Sequence, residues 1–171
     1  VFLKDLADLG QVVPAVLKHK PDSFESYDDH TFSLAIKYFP ELAAQMKTGI
    51  ISLGFSFLPE LWMLLTVGIP KLVLMIEFRS ENQADALAAA EALERDLAHL
   101  SLHEKMRVEK DEHGAKKYWA IRRESFNLLR KKVRGLRTAP FIDDFVVPPP
   151  RLPEFLPKLS EILSHYDLIY T

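Results

Sequence analysis

The chain has 171 residues, 48% of them hydrophobic and 27% charged, with a formal net charge of −2 and no cysteine. That length suffices for a real hydrophobic core, and that balance excludes wholesale disorder. The absence of thiols excludes disulfides, thiolate metal sites, cysteine-ligated iron–sulfur clusters and a cysteine nucleophile within these residues.

Charge is unevenly spread. Residues 104–137 hold 12 Lys/Arg against 5 Asp/Glu, a local +7, which leaves 10 against 19 elsewhere, a local −9. Acids interleave with the bases, as on solvated helix and hairpin surfaces, and no aromatic stacking pattern accompanies them, so no nucleic-acid partner is expected. Val1 opens inside an apolar run and "DLIYT" closes in one. The expectation is one fragment, 1–171, truncated at both ends.

In chain order, "VFL" reads as a short strand and about 4–18 as a helix, with Leu6, Leu9, Val13 and Val16 at helical spacing and Pro14 open to a kink or a later start. "SFESYD" (23–28) reads as a strand, 29–39 as a helix ended by Pro40, and 41–48 as a further helical turn or two. Residues 50–78 are the most apolar part. Pro59, Glu60, Gly68 and Pro70 interrupt them, so a buried helix at about 57–67 and a central strand at 71–79 are expected rather than a membrane span; peripheral membrane contact stays open.

"SENQADALAAAEALERDLAHL" is the clearest helix, with Ser80 as the expected N-cap. Residues 102–111 alternate as a strand, 115–133 form a second strong helix, "FIDDFVV" reads as a strand, and 151–165 read as a helix with Leu152, Phe155, Leu159, Ile162 and Leu163 inward. "DLIY" begins another strand. Strand–helix alternation with a helical insertion near 40–67 predicts a ferredoxin-like α+β fold, its antiparallel sheet covered by helices mainly on one face. The polar alternation at 102–111 argues against a doubly wound parallel sheet.

On a helical wheel with Trp119 as zero, the apolar side chains of 115–133 span an arc from about 180° to 340°. Arg122 falls inside it, near 300°. A buried guanidinium cannot lose its charge, so it needs an anion. Two partners are open: Asp143 or Asp144 in "FIDDFVV", as an internal salt bridge, or a bound carboxylate held bidentately. His99 and His103 are four apart but straddle a helix end, and no third metal ligand is evident. Glu25 and Asp28 could suggest paired carboxylates, but acids at a strand–helix junction are more often caps or solvated.

Three segments together resemble one family: "KLVLMIEFRSENQADALAAAEAL", the "YWAIRRESF" helix, and "APFIDDFVVPPPRLPEFLPKL". In this order they look like the C-terminal region of FAD-linked oxidases, the group with D-lactate dehydrogenase, the glycolate oxidase flavin subunit and D-2-hydroxyglutarate dehydrogenase, closest to large bacterial members fused to an iron–sulfur half. "SFESYDD" resembles the family's glutamate-then-aspartate stretch.

The resemblance implies a substrate or cap domain of a flavoprotein that oxidises a D-2-hydroxy acid by hydride transfer to FAD. It implies an FAD-binding domain before these residues, and a Gly/His-rich motif after them that binds divalent metal and substrate. It therefore implies no catalytic residue within the fragment, which alone would be inactive. An iron–sulfur cluster elsewhere in the parent chain and a cytoplasmic location, peripheral at the inner membrane face, follow from the same likeness.

Arg122 matches the family arginine that holds the substrate carboxylate, with Trp119, Phe126, Asp143 and Asp144 as its expected surroundings. Phe126 stands where some members have a hydroxyl residue, and Ile142 where some have a substrate-binding lysine. The rival expectation is a non-catalytic α+β interaction domain that meets a partner or membrane through the apolar 50–70 segment.

Overall fold

In a computed structural model, residues 1–40, 57–110, 112–132 and 145–166 are described. They form six helices and a three-stranded antiparallel sheet. The chain divides into two compact units: residues 1–26, 70–110 and 145–170 make the first, and 27–69 with 111–144 the second.

The first unit is built on the sheet. β1 (Phe2–Leu3) pairs antiparallel with β3 (Leu72–Glu77), Phe2 opposite Val73 and Leu3 opposite Leu72. β2 (Ser23–Asp28) lies on the other side of β3, giving the order β1-β3-β2. The Asp22 amide donates to the Glu77 carbonyl at 2.9 Å, and the Arg79 amide to the Asp22 carboxylate at 2.6 Å, tying the start of β2 to the end of β3. A single antiparallel bridge from Glu104 to Phe2 lies next to β1. This is the strand order of a ferredoxin-like sheet, its fourth position reduced to one bridge. The strand expected over 102–111 is thus corrected to that bridge: Met106 enters the core, but Arg107 turns back to Glu104 at 2.6 Å and lies over the Phe2 ring.

Two helices cover one face of this sheet. α1 (Leu9–Lys18) buries Leu9, Val12, Val13 and Val16, spaced at 3 to 4 residues, and a short 3-10 turn over 6–8 precedes it. Pro14 removes one amide donor, yet the helix continues through it. α4 (Gln83–Leu97) adds Leu93 and Leu97 to the same core as Leu3, Leu72 and Leu74. Each such buried aliphatic side chain stabilises the fold by about 1.5–3 kcal/mol. The cap of α4 is Asn82, whose side chain accepts from the Ala84 amide, not Ser80. Ser80 instead accepts from the Asn82 amide and steadies the turn before it. α6 (Leu152–Ser164) follows a 3-10 turn over 149–151 and buries Leu163, while Ile162 is exposed, contrary to expectation. Phe145 and Val146 are exposed as well, Val146 at 98%, so the described end of "FIDDFVV" is not a buried strand. Pro148 through Pro150 withhold the amide donors a strand ladder would need.

The second unit joins three helices. α2 (Asp29–Lys37) packs against α5 (Glu112–Lys132), and α3 (Leu58–Thr66) meets α5 through the ionic contact described below. Asp28 caps α2, its side chain accepting from the Thr31 amide at 2.8 Å, and α2 ends at Lys37, before Pro40. Tyr27, Thr31, Phe32, Ala35, Met63, Tyr118, Ala120 and Ile121 are buried. The Val67 and Gly68 amides both reach the Met63 carbonyl, and Gly68 takes φ +93°, which closes α3 as only glycine does without strain. The expected elements over 41–48 and at "DLIY" lie outside the described residues.

Candidate functional site

α5 carries the candidate residues Trp119 and Arg122, and its rotation decides what they face. In its first half, Lys117, Tyr118, Ala120 and Ile121 are buried, whereas Lys116, Arg122 and Arg123 are exposed. The buried arc is centred near 180° on the wheel and so lies about 80° away from the arc expected from apolar residues alone. Arg122 is therefore corrected from a buried position to an exposed one at the edge of that arc, next to Tyr118 one turn earlier. Trp119 is half-buried.

The cause is a charge inside the unit. Glu60 of α3 is 2% exposed and Lys117 is 6% exposed. The Lys117 ammonium meets Glu60 Oε1 at 3.0 Å, and the Tyr118 hydroxyl donates to the same oxygen at 2.5 Å. Lys117 Nζ also sits over the rings of Tyr118, at 4.9 Å, and Phe57, at 5.8 Å. A wheel that sends every lysine outward cannot anticipate this. The anionic partner is 57 residues away in sequence, on a helix that otherwise reads as apolar.

Tyr27 completes the cluster. Its hydroxyl is buried and makes no hydrogen bond among the described residues. Burial, then the neighbouring Tyr118 and Glu60, push its ionisation well above the usual tyrosine range, so it remains a neutral phenol. The arrangement can fix the azimuth of α5 and hold Arg122 outward at a set angle. It supplies no proton donor or acceptor to solvent.

Asp143, Asp144 and Ile142 lie outside the described residues, as does the side chain of Phe126, so the expected Arg122–aspartate contact falls there too. His99 and His103 do not share a helix: α4 ends at Leu97, and the His103 amide donates to the Phe2 carbonyl. Asp28, Asp29 and His30 bring three ligand-type atoms within 4.8 Å of one another, His30 Nδ1 lying 3.3 Å from Asp28 and 3.4 Å from Asp29. Asp28 is already engaged as the α2 cap, the role its sequence position suggested. Glu25 does not join that group. Gly68, the glycine with positive φ among the described residues, faces open space and serves a turn, not a phosphate cradle.

Over residues 1–171 the chain matches the family model of FAD linked oxidases, C-terminal domain. No curated protein and no solved structure matches it.

Proposed function

Because this chain belongs to the C-terminal domain family of FAD-linked oxidases, we propose that it is the substrate, or cap, domain of a larger enzyme that oxidises a D-2-hydroxy acid. The family makes it part of a flavin oxidoreductase that works with an FAD-binding domain and a small-molecule substrate. FAD held by that domain supplies the hydride acceptor. The parent chain, on the likeness noted above, also carries a Gly/His-rich metal motif and an iron–sulfur half, and works in the cytoplasm.

The observation that carries the reading is Arg122, exposed on a helix whose rotation the buried Glu60–Lys117 pair fixes. Its planar fork suits a carboxylate. Holding the carboxylate orients the C2 carbon of the substrate, an effect of position rather than of chemistry. Phe126 and Ile142 offer neither a hydroxyl nor a cation to a second acidic group. A monocarboxylate of the lactate or glycolate type therefore fits better than 2-hydroxyglutarate.

The test is flavin bleaching in the full-length enzyme against a panel of D-2-hydroxy acids, with Arg122→Ala alongside. The substitution should raise KM and lower kcat/KM by ~10²-fold or more. A change within about twofold would remove Arg122 from the site.

A further inference from the structure

α3 puts its carboxylate where its leucines could go. Glu60, the one charged residue of the helix, is buried with Met63, while Leu58, Leu61 and Leu65 are exposed. Turning α3 over would bury more apolar surface, so apolar burial alone does not set its orientation. The partner groups are on α5, where two successive residues converge on one atom: the Lys117 ammonium and the Tyr118 hydroxyl both reach Glu60 Oε1. Residues 117 and 118 are about 100° apart around the helix, so an oxygen shared between them is reached at one azimuth of α5 and not at others. Lys117 Nζ also lies over the rings of Tyr118 and Phe57, which confines the ammonium further. Apolar contacts have no such directionality.

We propose that Glu60 and Lys117 are positioning residues for the substrate. At 2% and 6% exposed they lie out of reach of any ligand, and they act on its carboxylate by holding Arg122 at the azimuth where the guanidinium meets it. The inference rests on the reading of Arg122 given above and extends it to groups that touch no substrate atom. Stability gives a poor reason for such a pair. The desolvation of two charges offsets most of their attraction, and apolar side chains of the same volume would hold α3 to α5 as well or better. Orientation gives a better reason, because the apolar pattern of α5 by itself favours a rotation about 80° away, with Arg122 turned inward. A misplacement of ~1 Å in a substrate-positioning group can lower a rate by ~10²-fold. The choice between the two rotations therefore decides whether the carboxylate is held at all.

The experiment compares D-lactate with its methyl ester in the full-length flavoprotein, as a ratio of kcat/KM values, with thermal unfolding alongside. Arg122→Ala should lower that ratio in the wild-type background, since the ester offers no carboxylate. Glu60→Met, Lys117→Met and Tyr118→Phe together make the cluster apolar. This triple variant should keep the wild-type midpoint or exceed it, yet lower the ratio by about tenfold or more. Adding Arg122→Ala to it should lower the ratio little further, a coupling that a purely structural role does not produce. Glu60→Gln with Lys117→Met keeps an amide oxygen for the Tyr118 hydroxyl and is the milder second variant; it should lower the ratio by about threefold or more. Two outcomes overturn the proposal alone: Arg122→Ala lowers the ratio while either variant keeps it, or the variants lose activity toward acid and ester alike. An unchanged ratio in Arg122→Ala itself overturns the substrate reading, and the proposal with it.

Discussion

Replacing Lys117 by Met should unfold this protein more readily than almost any other single change in the second unit. The side chains of Lys117 and Glu60 are 8% and 3% exposed, and the ammonium and carboxylate are 3.0 Å apart. Methionine keeps most of the volume and removes the cation, so the carboxylate stays buried with its charge no longer matched. Breaking a buried pair in this way costs about 3–5 kcal/mol, a large share of the roughly 5–15 kcal/mol that holds an ordinary domain. For a chain of this size that corresponds to a fall in midpoint on the order of 10 °C. Thermal and urea unfolding followed by circular dichroism would measure it. The double replacement Glu60→Gln with Lys117→Met removes both charges and keeps an amide oxygen for the Tyr118 hydroxyl. It should recover most of the loss, so that the two changes are strongly non-additive. A cost below about 1 kcal/mol for Lys117→Met, or simple additivity in the double variant, would refute the claim that this pair sets the rotation of α5.

One further outcome follows from Tyr27. Tyr27→Phe deletes a buried hydroxyl with no hydrogen-bond partner among the described residues, so it should be neutral or stabilise by up to about 1 kcal/mol in the same assay, and a loss above that would mean the hydroxyl is satisfied.

The sheet and its covering helices were legible in the residues because their signals are local. Leu9, Val13 and Val16 on α1 share one stripe, and the apolar run of β3 lies between turn residues, so pattern and packing agree. Elsewhere the deciding partner was remote. The apolar pattern alone puts Arg122 on a buried face because it sends Lys117 outward, and only the distant Glu60 reverses that. The alternation at 102–111 was real as a pattern, but a ladder needs a partner edge, and the two-residue β1 offers room for a single bridge. Asn82 and Ser80 are equally good caps by type, and the choice turned on where the first helical amide fell. On α3, Glu60 interrupts the apolar run, and none of the described helices is long and apolar enough to cross a membrane. Which way that glutamate points could not be read from α3 alone.

The connection between β2 and β3 carries a consequence for how such a protein can change. In a simple ferredoxin-like sheet these two strands are joined by a tight hairpin; here residues 29–71 intervene, and they contain α2 and α3 of the second unit. Closing a loop of about 40 residues instead of about five costs only about 2 kcal/mol more in chain entropy, because the cost rises with the logarithm of length. The excursion over 111–144 likewise leaves the first unit and returns to it. A lineage could therefore lengthen, shorten or exchange either excursion at small cost to the sheet. The helix bearing Arg122 and the helix bearing the exposed leucines both lie on these replaceable lengths of chain, so both surfaces are free to drift faster than the sheet that carries them.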